Sequence, residues 1–317
     1  MVESALIQQA KGFFRQTVRA GIILLGVSAV TFVMIELVPG DPAEMILSAH
    51  TDAVSAEKIE ILRRELGLDL PLPIRWLQWL KGIICLDMGN SFRTGDPVFT
   101  EIRNRLPVTL TLALGAFVFA VTASLAGGIL SAVFQNRFPD RAHRAWTILA
   151  VSIPDYWLGL ILLLFFSLKL QWFPVTGNEG FKAFVLPILT LGLSVSASEG
   201  RVFRAGILEV LSQDYVRFAH AKGLGPAKIF IGHVFRAAVL PMISLWGMLL
   251  GHLLGGAVIA ESVFSLPGLG KLSADAVLNR DIPMIQGTVL TMTFFFVIST
   301  RIMDGLHALL IPRSAAH

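Results

Sequence analysis

Long apolar runs alternate with short polar stretches along this chain. Six runs stand out, at residues 18–38, 107–134, 145–170, 183–198, 237–260 and 284–310. A helix rises about 1.5 Å per residue, so roughly 20 mostly apolar residues cross a bilayer core. The pattern therefore predicts an all-α, polytopic membrane protein with six transmembrane helices. Its organisation reads as an N-terminus and first helix over 1–38, an outer loop region over 39–106, and a five-helix core over 107–317.

The polar stretches refine this picture. Pro39-Gly40-Asp41-Pro42 stops the first helix, and Ser55 is placed to cap an amphipathic helix over 55–66. Trp76 and Trp79 suit a helix at the membrane interface. Arginines gather before the first run, in 135–144 (Arg137, Arg141, Arg144) and in 199–236, whereas 171–182 and 261–283 carry few bases. Positive charge stays on the cytoplasmic side, so both termini are predicted cytoplasmic and 39–106 falls outside by parity.

Composition agrees. The chain is 54% hydrophobic and 15% charged, against about 25% charged in soluble domains. Its net charge of +4 is spread over loops beside apolar runs, which excludes nucleic acid as the reason for it. The single Cys85 rules out an intrachain disulfide, and no Cys/His spacing fits zinc. Lys11, Arg15 and Arg19 precede the first run, but no small-residue cleavage site closes it, so it reads as a membrane helix and not as a signal peptide.

The most structured polar segment is 212–241. Ser212 or Asp214 can cap a short helix over 215–222, Gly223 falls where a left-handed C-terminal cap belongs, and Gly225-Pro226 restarts the chain. An ordinary helical hairpin at the membrane surface accounts for this physics as well as a docking element does. Glu36, Glu199, His252, Glu261, Arg301 and Asp304 lie in or beside apolar runs, where ionisable groups are costly. Gly247, Gly251, Gly255 and Gly256 form a small-residue face for close helix packing, within this chain or against another. No phosphate-binding Gly-Lys-Ser/Thr loop, Ser/His/Asp arrangement or HExxH occurs, so the chain is not itself an ATPase, and no enzymatic site is expected.

The run Tyr215-Val216-Arg217-Phe218-Ala219-His220-Ala221-Lys222-Gly223-Leu224, followed by His233-Val234-Phe235-Arg236 and Leu240-Pro241, resembles the coupling loop of ABC importer permeases of the peptide and nickel branch. Val38-Pro39-Gly40-Asp41-Pro42, Leu66-Gly67-Leu68-Asp69, Asp87-Met88-Gly89-Asn90-Ser91 and Leu106-Pro107-Val108-Thr109-Leu110 are similar too. So are 255–270 and Asn279-Arg280-Asp281-Ile282-Pro283. The chain departs from the pattern at Phe218, His220 and Ala237, where threonine, arginine and asparagine are usual, and at Ile311, where Asp usually precedes Pro-Arg.

The resemblance implies a type I ABC importer permease fold in a bacterial cytoplasmic membrane. Implied partners are a second permease in a heterodimer, two ATP-binding subunits that hold ATP and Mg, and an extracytoplasmic substrate-binding protein. This chain would carry no cofactor. Asp214, Tyr215, Arg217, Ala219, Ala221, Lys222, Gly223 and Leu224 would couple it to an ATPase, with Ala219 and Gly223 in the close-packed contact and Arg217 and Lys222 at its rim. His252 and Glu261 are candidates for the translocation path. Ser152-Ile153-Pro154-Asp155-Tyr156-Trp157-Leu158, Gln171-Trp172-Phe173-Pro174 and His252 lean towards nickel or a metal chelate as cargo, although one histidine makes no metal site. The alternatives are a di- or oligopeptide importer, an ion-coupled secondary transporter, which would show pseudo-symmetry or broken helices, and a lipid-modifying membrane enzyme.

Overall fold

The computed structural model describes residues 2–37, 41, 43–44, 47, 55–65, 67–176 and 180–310. The predicted stop at Pro39-Gly40 and Pro42, and Leu66, Gly177 and Ile311-Pro312-Arg313, lie outside them. The helices are α1 (Val2–Glu36), α2 (Ala56–Glu65), α3 (Leu72–Ile84), α4 (Val98–Val133), α5 (Phe138–Ser152) and α6 (Asp155–Leu162). They continue with α7 (Lys182–Leu211), α8 (Asp214–Ala221), α9 (Pro226–Ile229), α10 (Arg236–Val263), α11 (Leu269–Leu278) and α12 (Ile282–Leu310). π-helical turns over Leu163–Lys169 prolong α6, and others over Phe230–Phe235 join α9 to α10. Among the described residues extended pairing is limited to one bridge, Asn90 with Pro97.

Among the described residues five helical stretches are long and apolar enough to cross a membrane, and α5 with α6 makes a sixth if the bent pair counts as one span. That third span is not straight as the sequence predicts: it bends by 103°. Pro154 disfavours the helical region for the residue before it, and Ile153 sits at φ −92°, ψ 122°. Two other boundaries move. The second run begins at Val98, where Glu101 and Arg105 pair at 2.6 Å across one turn. The fourth continues to Leu211, because 199–211 is an amphipathic helix whose Phe203 and Ile207 are fully buried. Its polar residues imitate a loop in sequence.

Two compact units emerge, Met1–Leu106 with Leu272–Phe294, and Pro107–Lys271 with Phe295–His317. In the first, Ser55 Oγ accepts the Lys58 amide at 3.4 Å and caps α2. The interface helix α3 is fastened to α1: Arg75 donates twice to Glu36 (3.0 and 3.1 Å), and Trp76 Nε1 donates to Ser28 at 3.3 Å. Asp281, ahead of α12, accepts from the Ser91 hydroxyl and from the Phe92 amide (3.1 Å), so 87–97 and 279–283 share one side of this unit.

The second unit holds the large core, centred on Leu112, Phe203, Ile207, Met242 and Leu253. Lipid gives no hydrophobic drive between helices, so close packing has to supply the cohesion. Glycine permits it. A Cβ on Gly192 would meet Phe119, and Cβ atoms on Gly247 and Gly251 would meet Met303 and Phe296 of α12. The glycine face of α10 is thus filled at two positions from within the chain, while a Cβ on Gly255 would meet nothing.

A candidate docking segment and a polar cleft

α8 is eight residues long and closed at its C-terminus by backbone geometry. Gly223 adopts φ +81°, its amide donates to His220 O at 2.9 Å, and the Leu224 amide donates to Ala219 O at 3.3 Å. These are the two hydrogen bonds of a Schellman cap, which needs a left-handed residue at the Gly223 position. Pro226 then opens α9 at its first turn.

The helix has two faces. Val216 and Ala219, 1% and 6% exposed, pack inward, and Leu224 is half-buried against the same core. Ala219, which the sequence pattern implied as a close-packed contact residue, turns its methyl inside this chain. The outer face presents Tyr215 and Phe218 (47% and 62% exposed) with Ala221. Lys222 lies 4.6 Å from the Phe218 ring centroid, and Arg217 pairs with the exposed Asp214 at 3.4 Å. The result is an aromatic surface rimmed by charge.

A buried ion pair ties together other helices of the same unit. Asp140 at the start of α5 has a fully buried side chain, and it accepts from Arg204 of α7 through Nε (2.8 Å) and Nη2 (3.0 Å). Ser131 Oγ at 2.6 Å and the Asn136 amide at 2.8 Å fill its remaining lone pairs. The charge is both neutralised and hydrogen-bonded, as a buried charge must be. One carboxylate thereby joins the end of α4, α5 and α7.

Farther along α7 and α10 lies a cleft of about 520 Å³. Asp155, at the break between α5 and α6, lines it together with Ser194, Ser198 and Glu199 of α7 and His252 of α10. Most of its remaining wall is apolar. Ser194 donates to Asp155 at 2.8 Å, whereas Glu199 Oε2 is buried without a hydrogen-bond partner among the described residues. His252 thus lines the same cleft as Glu199 and Asp155, although among the described residues no group of three His, Cys, Asp or Glu is disposed to hold a metal ion. Asp155 could have been found from sequence as the one acid within 145–170.

Glu261, paired with His252 in the sequence reading as a path residue, lies elsewhere. It is fully buried. It accepts from Thr109 Oγ1 at 2.6 Å, from the Lys271 amide at 2.8 Å and from the Gly270 amide. Thr109 Oγ1 in turn accepts the Leu269 amide at 2.7 Å. With its hydrogen-bonding capacity engaged, Glu261 braces the 264–271 loop instead of facing the cleft. A Cβ on Gly268 would overlap the Glu261 carboxyl. Gly268→Ala is accordingly expected to lower the thermal unfolding temperature of the detergent-solubilised subunit by several degrees, whereas Gly255→Ala, with open space, leaves it unchanged.

Comparison with known proteins gives a consistent answer. Residues 124–315 match the family described as binding-protein-dependent transport system inner membrane component, and 10–113 match the N-terminal family of such membrane components. The glutathione transport system permease protein GsiC of Escherichia coli (strain K12) is 37% identical over 286 residues, covering 90% of this chain and 92% of that protein. GsiC of Salmonella choleraesuis (strain SC-B67) is 37% identical over 289 residues, covering 91% and 94%. Among solved structures, the MetNI methionine ABC transporter in an inward-facing conformation matches with a TM-score of 0.54 at 19% identity, over 67% of this chain and 96% of that one.

Proposed function

Because this chain belongs to the family of binding-protein-dependent transport system inner membrane components, and so is a permease subunit of an ABC importer, we propose that its cargo is a short peptide of the glutathione kind. The observation that carries the reading is 37% identity to glutathione permeases over nine-tenths of the chain. The peptide alternative thereby gains over nickel or a metal chelate, which neither relative named above supports and for which the described residues offer no metal-binding trio.

On this reading the chain pairs with a second permease, a receptor delivers cargo from the side bearing 39–106, and ATP is hydrolysed by partner subunits seated on the cytoplasmic face. The outer face of α8, with Tyr215, Phe218 and Ala221, is the surface offered to an ATPase. The cleft holding Asp155, Glu199 and His252 lies on the cargo path, since ionisable groups at membrane depth are retained for passage or partnering. The His252 side is exposed on this subunit, which suits a wall completed by the second permease.

The test is uptake by proteoliposomes containing the complete importer and its receptor. Labelled glutathione is expected to accumulate in an ATP-dependent manner, with no accumulation of nickel. Nickel uptake without glutathione uptake would restore the metal reading.

A further inference from the structure

We infer that the cleft is a subsite for a primary ammonium group, the amino terminus of the cargo, held by Glu199 and Asp155. The inference rests on the peptide reading above and specifies the chemistry that reading leaves open.

Two carboxylates from different helical segments share this cleft, and no lysine or arginine lines it. Among the described residues neither carboxylate has a cationic partner. Asp155 has the Ser194 hydroxyl at 2.8 Å, and Glu199 Oε2 is buried with nothing to accept from. The contrast within the same unit is instructive. Asp140 has Arg204, and Glu261 has a hydroxyl and two backbone amides. The chain therefore supplies several donors to each of these two carboxylates and leaves Glu199 Oε2 without one among the described residues. An unpaired carboxylate in an apolar setting is costly, and a passing cation removes that cost.

The geometry selects the kind of cation. A metal ion needs several donors converging on one point, and no such trio occurs among the described residues. An ammonium needs only three acceptors in separate directions. Glu199 and Asp155 supply carboxylate oxygens, and the Ser198 hydroxyl can supply another acceptor from the α7 wall. His252 on α10 can donate to the carboxylate that accompanies the ammonium in an unmodified amino-acid end.

The primary variant is Glu199→Gln, which removes charge, keeps shape and breaks no hydrogen bond at Oε2. Asp155→Asn is the second, since the amide oxygen still accepts from Ser194. Each is placed in the complete importer in proteoliposomes. Uptake of glutathione and of N-acetylglutathione is measured and normalised to the amount of each bound by the receptor, alongside ATP hydrolysis. Wild type is expected to prefer the free amine. Each variant is expected to lose glutathione uptake at least tenfold, change N-acetylglutathione uptake less than twofold and retain ATP hydrolysis. An equal fall for both cargoes, or no fall, overturns the ammonium subsite alone. A wild-type complex that carries no glutathione overturns the cargo reading, and the subsite with it.

Discussion

Phe218→Glu is expected to reduce ATP-driven uptake about thirtyfold while the subunit accumulates in the membrane at wild-type level. The ring is 62% exposed, on the outer face of α8, so folding does not depend on burying it. The new carboxylate stands four residues before Lys222, an order that supports a helix, and replaces the ring–ammonium contact at 4.6 Å with an ion pair. What changes is the surface offered to the ATPase. Exposed aromatics that anchor an interface are worth about 2 kcal/mol or more, and 2 kcal/mol is about thirtyfold in affinity. The measurement is uptake in proteoliposomes beside the quantity of ATPase subunit co-purifying with the permease. Full uptake with full co-purification would remove Phe218 from the contact and the outer face of α8 with it.

Asp140→Ala is expected to fail in a different manner, by destabilising the subunit about 3–5 kcal/mol, the usual cost of breaking a buried pair by removing one partner. Arg204 is only 18% exposed. It would be left charged and largely buried, and Ser131 and the Asn136 amide would lose their acceptor. The readout is the thermal midpoint of the solubilised subunit and its level in the membrane. Asp140→Asn should fall between, since it keeps shape and some hydrogen bonds but not the charge. A change within 1 °C for the alanine variant would show that the pair contributes nothing net. The two experiments separate a docking residue from a folding residue.

The helical spans and the α8 cap were legible in sequence because each depends on local rules. Apolar run length marks a crossing, and a glycine after an amphipathic turn marks a Schellman cap. The misreadings came where one local rule overlaps another. Residues 199–211 look like a loop because of their charges, yet one of these, Arg204, is satisfied by a distant partner, Asp140, which sequence periodicity does not reveal. Ala219 is small, as docking residues often are, yet small residues also sit beneath helices, and only three-dimensional packing decides. Glu261 and Glu199 are both carboxylates at the edges of apolar runs. One acquires donors from residues 152 positions back and 10 ahead, at Thr109 and Lys271, while Oε2 of the other acquires none. No reading of neighbours distinguishes them.

The unbroken length of α7 has a mechanical consequence. Glu199 lies twelve residues above the end of the helix at Leu211, about 18 Å at 1.5 Å per residue. That length suits the helix to act as a lever worked from α8. A tilt of about 10° about its lower end would sweep Glu199 through roughly 3 Å, comparable to the length of one hydrogen bond. A modest stroke delivered at α8 would therefore be enough to move a wall of the cleft out of reach of whatever it grips, and release could be driven without unfolding any helix.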